Sequence, residues 1–136
     1  MSRKILCLDP DLTRIENIQR HLSRVGVECV RAGYSQDEQR YALSQLKEFE
    51  MAIVNAEVVW TRPDIHLFVY EIRKLSKVFP IVAYADASKI MCCSLFKRVG
   101  ASSVITEDFL VTYLKSTLDR RNKKLQVYFK ERRQAA

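Results

Sequence analysis

The sequence predicts a three-layer α/β fold: a five-stranded parallel sheet covered by helices on both faces, with a last helix longer than the sheet requires. Three observations support this. Short β-prone runs alternate with segments of helical apolar spacing, the middle runs are apolar at every position, and Gly or Pro punctuates the joins. Continuous apolar strands between helices imply right-handed crossovers that bury the sheet on both sides. A chain of 136 residues, 48% of them apolar, suffices for one such core and is too short for two.

The first strand is KILCL, Lys4 to Leu8. After Asp11, a helix places Leu12, Ile15, Ile18, Leu22 and Val25 at helical spacing until Gly26 stops it. VECVRA, Val27 to Ala32, is the second strand. Gly33 follows, and then SQDE, in which Ser35 and Glu38 form a capping box for a helix carrying Tyr41, Leu43 and Leu46. MAIVN, Met51 to Asn55, is the third strand, and beyond a loop broken by Pro63 the third helix carries Leu67, Phe68, Ile72 and Leu75. Pro80 introduces the fourth strand, PIVAYA. Ser88 to Val99 is expected to be the fourth helix, closed by Gly100, with SVI, Ser103 to Ile105, as the fifth strand and a final helix from about Asp108.

Composition excludes several classes. No apolar run approaches the roughly 20 residues that cross a bilayer, so no membrane insertion is expected. The start, MSRKILCLDPD, meets Asp9 before a secretory apolar region could form and reads as a mature cytoplasmic N-terminus. Cys7, Cys29, Cys92 and Cys93 lie in apolar surroundings without CxxC or Cys/His spacing, which favours reduced thiols over disulfides or zinc. His21 and His66 stand without triad or ligand spacing. Of the net charge of +7, +6 falls between Lys115 and Ala136. The chain therefore divides into a nearly neutral body, residues 1–119, and a basic extension of the last helix, residues 120–136.

Ligands of parallel α/β sheets bind at the carboxyl ends of the strands. Here those ends carry Asp9, Pro10 and Asp11, then Asn55, then Ala85, then Thr106, Glu107 and Asp108. A flavin-binding loop rich in Gly, Ser and Thr is not offered, because the first strand runs into DPDLT.

In order and spacing, KILCLDPD, FEMAIVN, FPIVAYA and VGASSVITEDF resemble the receiver domains of bacterial two-component response regulators, the CheY-like family, over residues 3–119. The resemblance implies a flavodoxin-like (βα)5 fold. It also implies a chemistry: an aspartate ending the third strand attacks a phosphoryl group, paired acids after the first strand hold Mg²⁺, and a hydroxyl and a lysine stabilise the product. Matched residue by residue, that chemistry is missing. Asn55 stands at the acceptor position, and an amide has neither the charge nor the nucleophilicity required. Asp9 matches the first acid, but Pro10 stands at the second. Ala85 replaces the hydroxyl, Glu107 the lysine and Asp108 the following proline, and Val104 takes the place of an aromatic residue.

The expectation is a degenerate pseudo-receiver without the phospho-acceptor: no enzyme, no cofactor and no metal. Asp9, Asp11 and Glu107 could converge on a cation, but acids at helix starts are ordinary caps; Asp11 suits the first helix, Glu107 and Asp108 the last. Asn55 suits a structural role, bridging loop backbone groups. Trp60 is expected to fold over the crevice or to anchor a partner.

What remains is signal transduction by protein–protein interaction, in a phosphorylation-independent module of a two-component-type system. Typical receivers use the fourth helix, fifth strand and last helix for contact, which here gives Lys89, Phe96, Lys97, Val104 and Tyr113. From Asp108 to Arg133 there is no Pro or Gly, so the last helix can reach ~39 Å against ~17 Å for a five-residue strand. Its seam of Leu114, Leu118, Leu125 and Tyr128, interrupted by Arg121, suits self-association or attachment to an output module. Two other readings of the tail stay open: nucleic-acid or anionic-surface binding, as in a transcription-regulator fragment, and a merely solvated helix. An ordinary phosphorylated receiver with a displaced acceptor is the remaining alternative.

Overall fold

Each run expected to be a strand contains β-branched or aromatic residues, and all five are strands in the computed structural model, which describes residues 3–32, 35–57, 63–92, 97–98 and 100–135, with side chains for all but 90–92, 122 and 124–135. They are β1 (Arg3–Leu8), β2 (Val27–Arg31), β3 (Phe49–Asn55), β4 (Ile81–Ala85) and β5 (Ser103–Thr106). All pairings are parallel, in the order β2-β1-β3-β4-β5. The order reverses between β1 and β3, which opens a crevice at their carboxyl ends.

Period-two alternation splits the core into two layers. Leu6, Leu8, Ala52, Val54, Ile81 and Ala83 face one side, where Ala42, Leu46, Phe68 and Ile72 cover them. Ile5, Cys7, Met51, Ile53, Val82 and Tyr84 face the other, beneath Ile15, Ile18, Leu22, Leu110, Leu114 and Leu118. Burial on both faces explains why the middle strands are apolar throughout.

Four α-helices lie among the described residues. In α1 (Leu12–Leu22), Asp11 is the N-cap, its carboxylate accepting from Arg14 N at 3.2 Å; a 3₁₀ turn, Ser23–Val25, carries the chain to Gly26 at φ 76°. In α2 (Gln36–Ser44), the Ser35 hydroxyl accepts from Glu38 N at 3.1 Å. α3 (Pro63–Leu75) opens on a proline, whose missing N–H costs nothing there. α4 (Glu107–Ala135) opens on two acids suited to the positive end of its dipole. None of the helices described is long and apolar enough to cross a membrane.

Some expectations need correction. The segment 88–99 does not start as an α-helix: residues Ala87–Cys92 form 3₁₀ turns broken at Lys89 (φ −121°, ψ 17°). The Asp86 carboxylate accepts from Ser88 N and Oγ, and Asp86 O accepts from Lys89 N, which closes tight turns in place of an i to i+4 ladder. Of the expected apolar stripes, Leu12, Val25, Tyr41, Leu67 and Leu75 are exposed. Tyr41 and Leu67 stand off the buried faces of their helices, which are marked by Ala42 and by Ile65, Phe68, Val69 and Ile72, and Leu12 and Leu75 are terminal residues of theirs. Trp60, Cys93 and Phe96 lie outside the described residues, and Cys7 and Cys29 carry free thiols.

Two arginines fasten the periphery. Arg3 holds Glu50 with two hydrogen bonds of 2.7 and 2.8 Å and also donates to Leu118 O of α4 at 2.9 Å. Arg73 of α3 donates to Gly100 O, Ser76 O and Ser102 Oγ, which pins the entry to β5. Gly100 has φ 139°, and a Cβ there would lie 3.0 Å from Arg73 Nε and 3.1 Å from its Cγ; at Gly26 the space is open. Gly100→Ala should therefore cost about 2–3 kcal/mol, whereas Gly26→Asn, an αL-tolerant residue in open space, should cost under about 1 kcal/mol. Urea denaturation of both variants measures the difference.

Candidate functional site

The pleat brings the site together. Asp9 continues the odd-numbered face of β1, Asn55 ends that of β3, and Tyr84 lies on the matching face of β4, paired directly with Asn55. Three polar side chains are thereby aimed at α1 and α4 from adjacent strands. Asp9 has no exposed surface and Asn55 only 3%, and they are the buried polar residues among those described.

A buried carboxylate must be compensated, and this one is fully engaged. Asp9 Oδ1 accepts from Asp11 N and Arg14 Nη1, both at 2.9 Å. Oδ2 accepts from Arg14 Nη1 at 2.9 Å, Tyr84 Oη at 2.5 Å and Asn55 Nδ2 at 3.3 Å. The Asn55 amide works in both directions, since its Oδ1 accepts from Glu57 N at 2.9 Å. An aspartate could make the second contact but would repel Asp9 at the first.

Arg14 supplies the cation. Besides Asp9, it donates through Nε to Glu107 Oε1 at 2.8 Å and lies 3.7 Å from Asp11 Oδ2. Burial works to lower its pKa, but hydrogen bonds and charge from Asp9, then Glu107, outweigh that and hold the guanidinium above its ordinary value. Burial, then the charge and hydrogen bond of Asp9, raise the Tyr84 phenol well above its usual range, so Tyr84 stays protonated and donates.

The three candidate metal acids, Asp9, Asp11 and Glu107, thus converge on a guanidinium. The Asp9 oxygens have no acceptor site left over, Pro10 is exposed, and among the described residues no group of three or more His, Cys, Asp or Glu side chains is arranged to hold a metal ion. These residues do not fit a Mg²⁺ site. Ala85 is buried at the end of β4.

Sequence reasoning missed Arg14 and Tyr84. A cation in the first turn of a helix opposes the dipole unless acids hold it, and a lone phenol in a buried aliphatic strand needs a partner; both signals were present. Of the candidate partner surface, Lys89 is exposed and 3.3 Å from Glu57, Lys97 is exposed, and Val104 and Tyr113 are half-buried, the Tyr113 hydroxyl 2.9 Å from Ser103 Oγ. Phe96 lies outside the described residues. Phe109, 62% exposed in the first turn of α4, belongs to the same region and was not singled out, although it stands off the Leu110–Leu114–Leu118 stripe. Leu114 and Leu118 are spent in the core, so the proposed seam is left with Leu125 and Tyr128, whose side chains are not described.

No protein-family model matches the sequence, and no curated protein matches it. Solved structures do match the fold. A CheY-like protein, TadZ, of Pseudomonas aeruginosa superposes with a TM-score of 0.69 at 17% identity, over 88% of this chain and 98% of that one. A response regulator receiver domain protein of Clostridium thermocellum gives 0.66 at 18%, over 88% and 97%. NtrX of Brucella abortus, crystallised with ADP, gives 0.66 at 21%, over 93% of this chain but 28% of its own. The chain has the flavodoxin-like fold of CheY-like receiver domains.

Arg14→Ala, which strands a buried carboxylate, should lower stability by about 2–4 kcal/mol, and Tyr84→Phe by about 1–2 kcal/mol. The raised Tyr84 pKa fixes a sign. Its contribution is complete below the unfolded value near 10 and is lost as pH rises from there towards the folded value. Cys7, raised by its hydrogen bond with Cys29 and by burial, adds a loss of the same sign from about pH 8.5. Urea midpoints between pH 8 and 11 should fall in the parent chain, and the part beginning near 10 should be absent in Tyr84→Phe.

Proposed function

We propose that the chain is a receiver-like signalling module, bacterial and cytoplasmic, that works by binding a protein partner without accepting a phosphoryl group. Residues 1–119 form the body and 120–136 the basic extension. One observation carries this reading: where a receiver holds a metal ion and an acidic acceptor, this chain has a guanidinium tied to Asp9 and an amide at Asn55 donating to the same carboxylate. Phosphoryl transfer needs an anionic nucleophile and a cation free to follow the developing charge. Arg14 is held on three carboxylates, and Glu107 contributes an anion where an incoming phosphoryl group would require the opposite charge.

With that chemistry gone, recognition is what the scaffold retains. In the surface formed by Lys89, Lys97, Val104, Phe109 and Tyr113, the exposed ring of Phe109 is the residue type that anchors a partner, and the lysines suit the polar rim around it. It adjoins Glu107, so the ion pair that fills the pocket also fixes the first turn of α4 on which Phe109 is mounted.

Incubation with acetyl phosphate and Mg²⁺, read by intact mass, should leave the chain unmodified. An adduct of one phosphoryl group on Asp9 or Asp11 that alters association state overturns the proposal. Phe109→Ser should keep the parent stability within about 0.5 kcal/mol, being exposed, while weakening capture of the cellular partner at least tenfold; unchanged capture removes Phe109 from the contact.

A further inference from the structure

α4 outruns the domain it belongs to. Its last fully buried residue among those described is Leu118, and its last described tie to the sheet is Arg121 Nε, 3.8 Å from Glu50 in the second position of β3. The helix continues to Ala135, so residues 122–135 extend it by roughly 21 Å. This arm contains Lys123, Lys124, Lys130, Arg132 and Arg133 against the single acid Glu131. Lys123 is 71% exposed, 3.2 Å from Asp119.

Two occupants fit poorly. A second arm would bring together two helices of like charge, and with Leu114 and Leu118 buried at home the remaining seam is shorter than the heptads a coiled coil needs. A lipid surface requires cations on one face and apolar residues on the other. At 100° per residue, Lys123 and Lys130 fall together, Lys124 about 100° away, and Arg132 and Arg133 on the remaining sides. The charge is therefore distributed around the axis. A helix lying in the major groove of B-form DNA meets phosphates on both flanks, and that groove is wide enough to admit one, whereas the deep, narrow groove of an RNA duplex is not.

We propose that residues 122–135 bind duplex DNA, mainly through its phosphates and without strong sequence preference. The inference is independent of the pocket: a chain that did accept phosphate would carry the same arm, and failure here leaves the Asp9 network untouched.

The test uses the full chain and a labelled mixed-sequence DNA duplex of about 25 base pairs, followed by fluorescence anisotropy from 50 to 200 mM salt. Five cations on phosphates predict a slope of log affinity against log salt of about −4.5, hence a fall of roughly 500-fold over that range. Replacing Lys123, Lys124, Lys130, Arg132 and Arg133 with Gln should abolish binding at 50 mM salt while circular dichroism retains the helix. The charge-conserving variant K123R/K124R/K130R should bind like the parent. The proposal is overturned by absence of binding at 50 mM salt, by equal affinity in the neutralised chain, or by equally tight binding to polyglutamate or to vesicles of anionic lipid.

Discussion

The carboxylate of Asp9 is a full charge with no exposed surface, and the rest of the strand-end architecture follows from the need to satisfy it. Left unpaired, such a group costs several kcal/mol even after relaxation. Its partners come from four places: the start of α1 through the Asp11 amide and Arg14, the end of β3 through Asn55, β4 through Tyr84, and, one ion pair further out, the head of α4 through Glu107. Because side chains alternate along a strand, a one-residue slip in β3 or β4 would turn Asn55 or Tyr84 to the opposite face. Register, helix seating and electrostatic satisfaction are therefore a single condition here.

Much of the fold was legible from the order and spacing of apolar residues. Every strand was found from its apolar run; β3 began two residues earlier, at Phe49, and β5 extended one further, to Thr106. Capping at Asp11 and Ser35 could be read directly, since the residue types and spacing state their own mechanism. The segment after β4 was not legible: helical spacing of apolar residues does not reveal that Asp86 will close a turn on Ser88 and Lys89. Nor does helical spacing alone say which of two overlapping apolar faces is turned to the sheet, and Tyr41 and Leu67, off the faces of Ala42 and of Ile65, Phe68 and Ile72, are exposed.

The site was half legible. Asp9, Asn55 and Glu107 follow from their places at strand and helix ends, positions that topology dictates. Arg14 and Tyr84 belong to it through the direction of a long side chain and the face of a strand, which only three-dimensional placement fixes. The chemistry of the pocket therefore turned on the two residues that strand-end inspection passes over. Folds of this kind host unrelated chemistries on one scaffold, and a site has to be judged from the charges that actually meet in it.

A guanidinium fixed to its own backbone differs from a bound ion in one respect. An ion exchanges with solution, so its occupancy follows concentration, competitors and chelators. Arg14 is covalently attached one helical turn from Asp11, at a local concentration that no change of medium alters. The positive charge that compensates Asp9 is thus a constant of the folded chain, present wherever the fold is present.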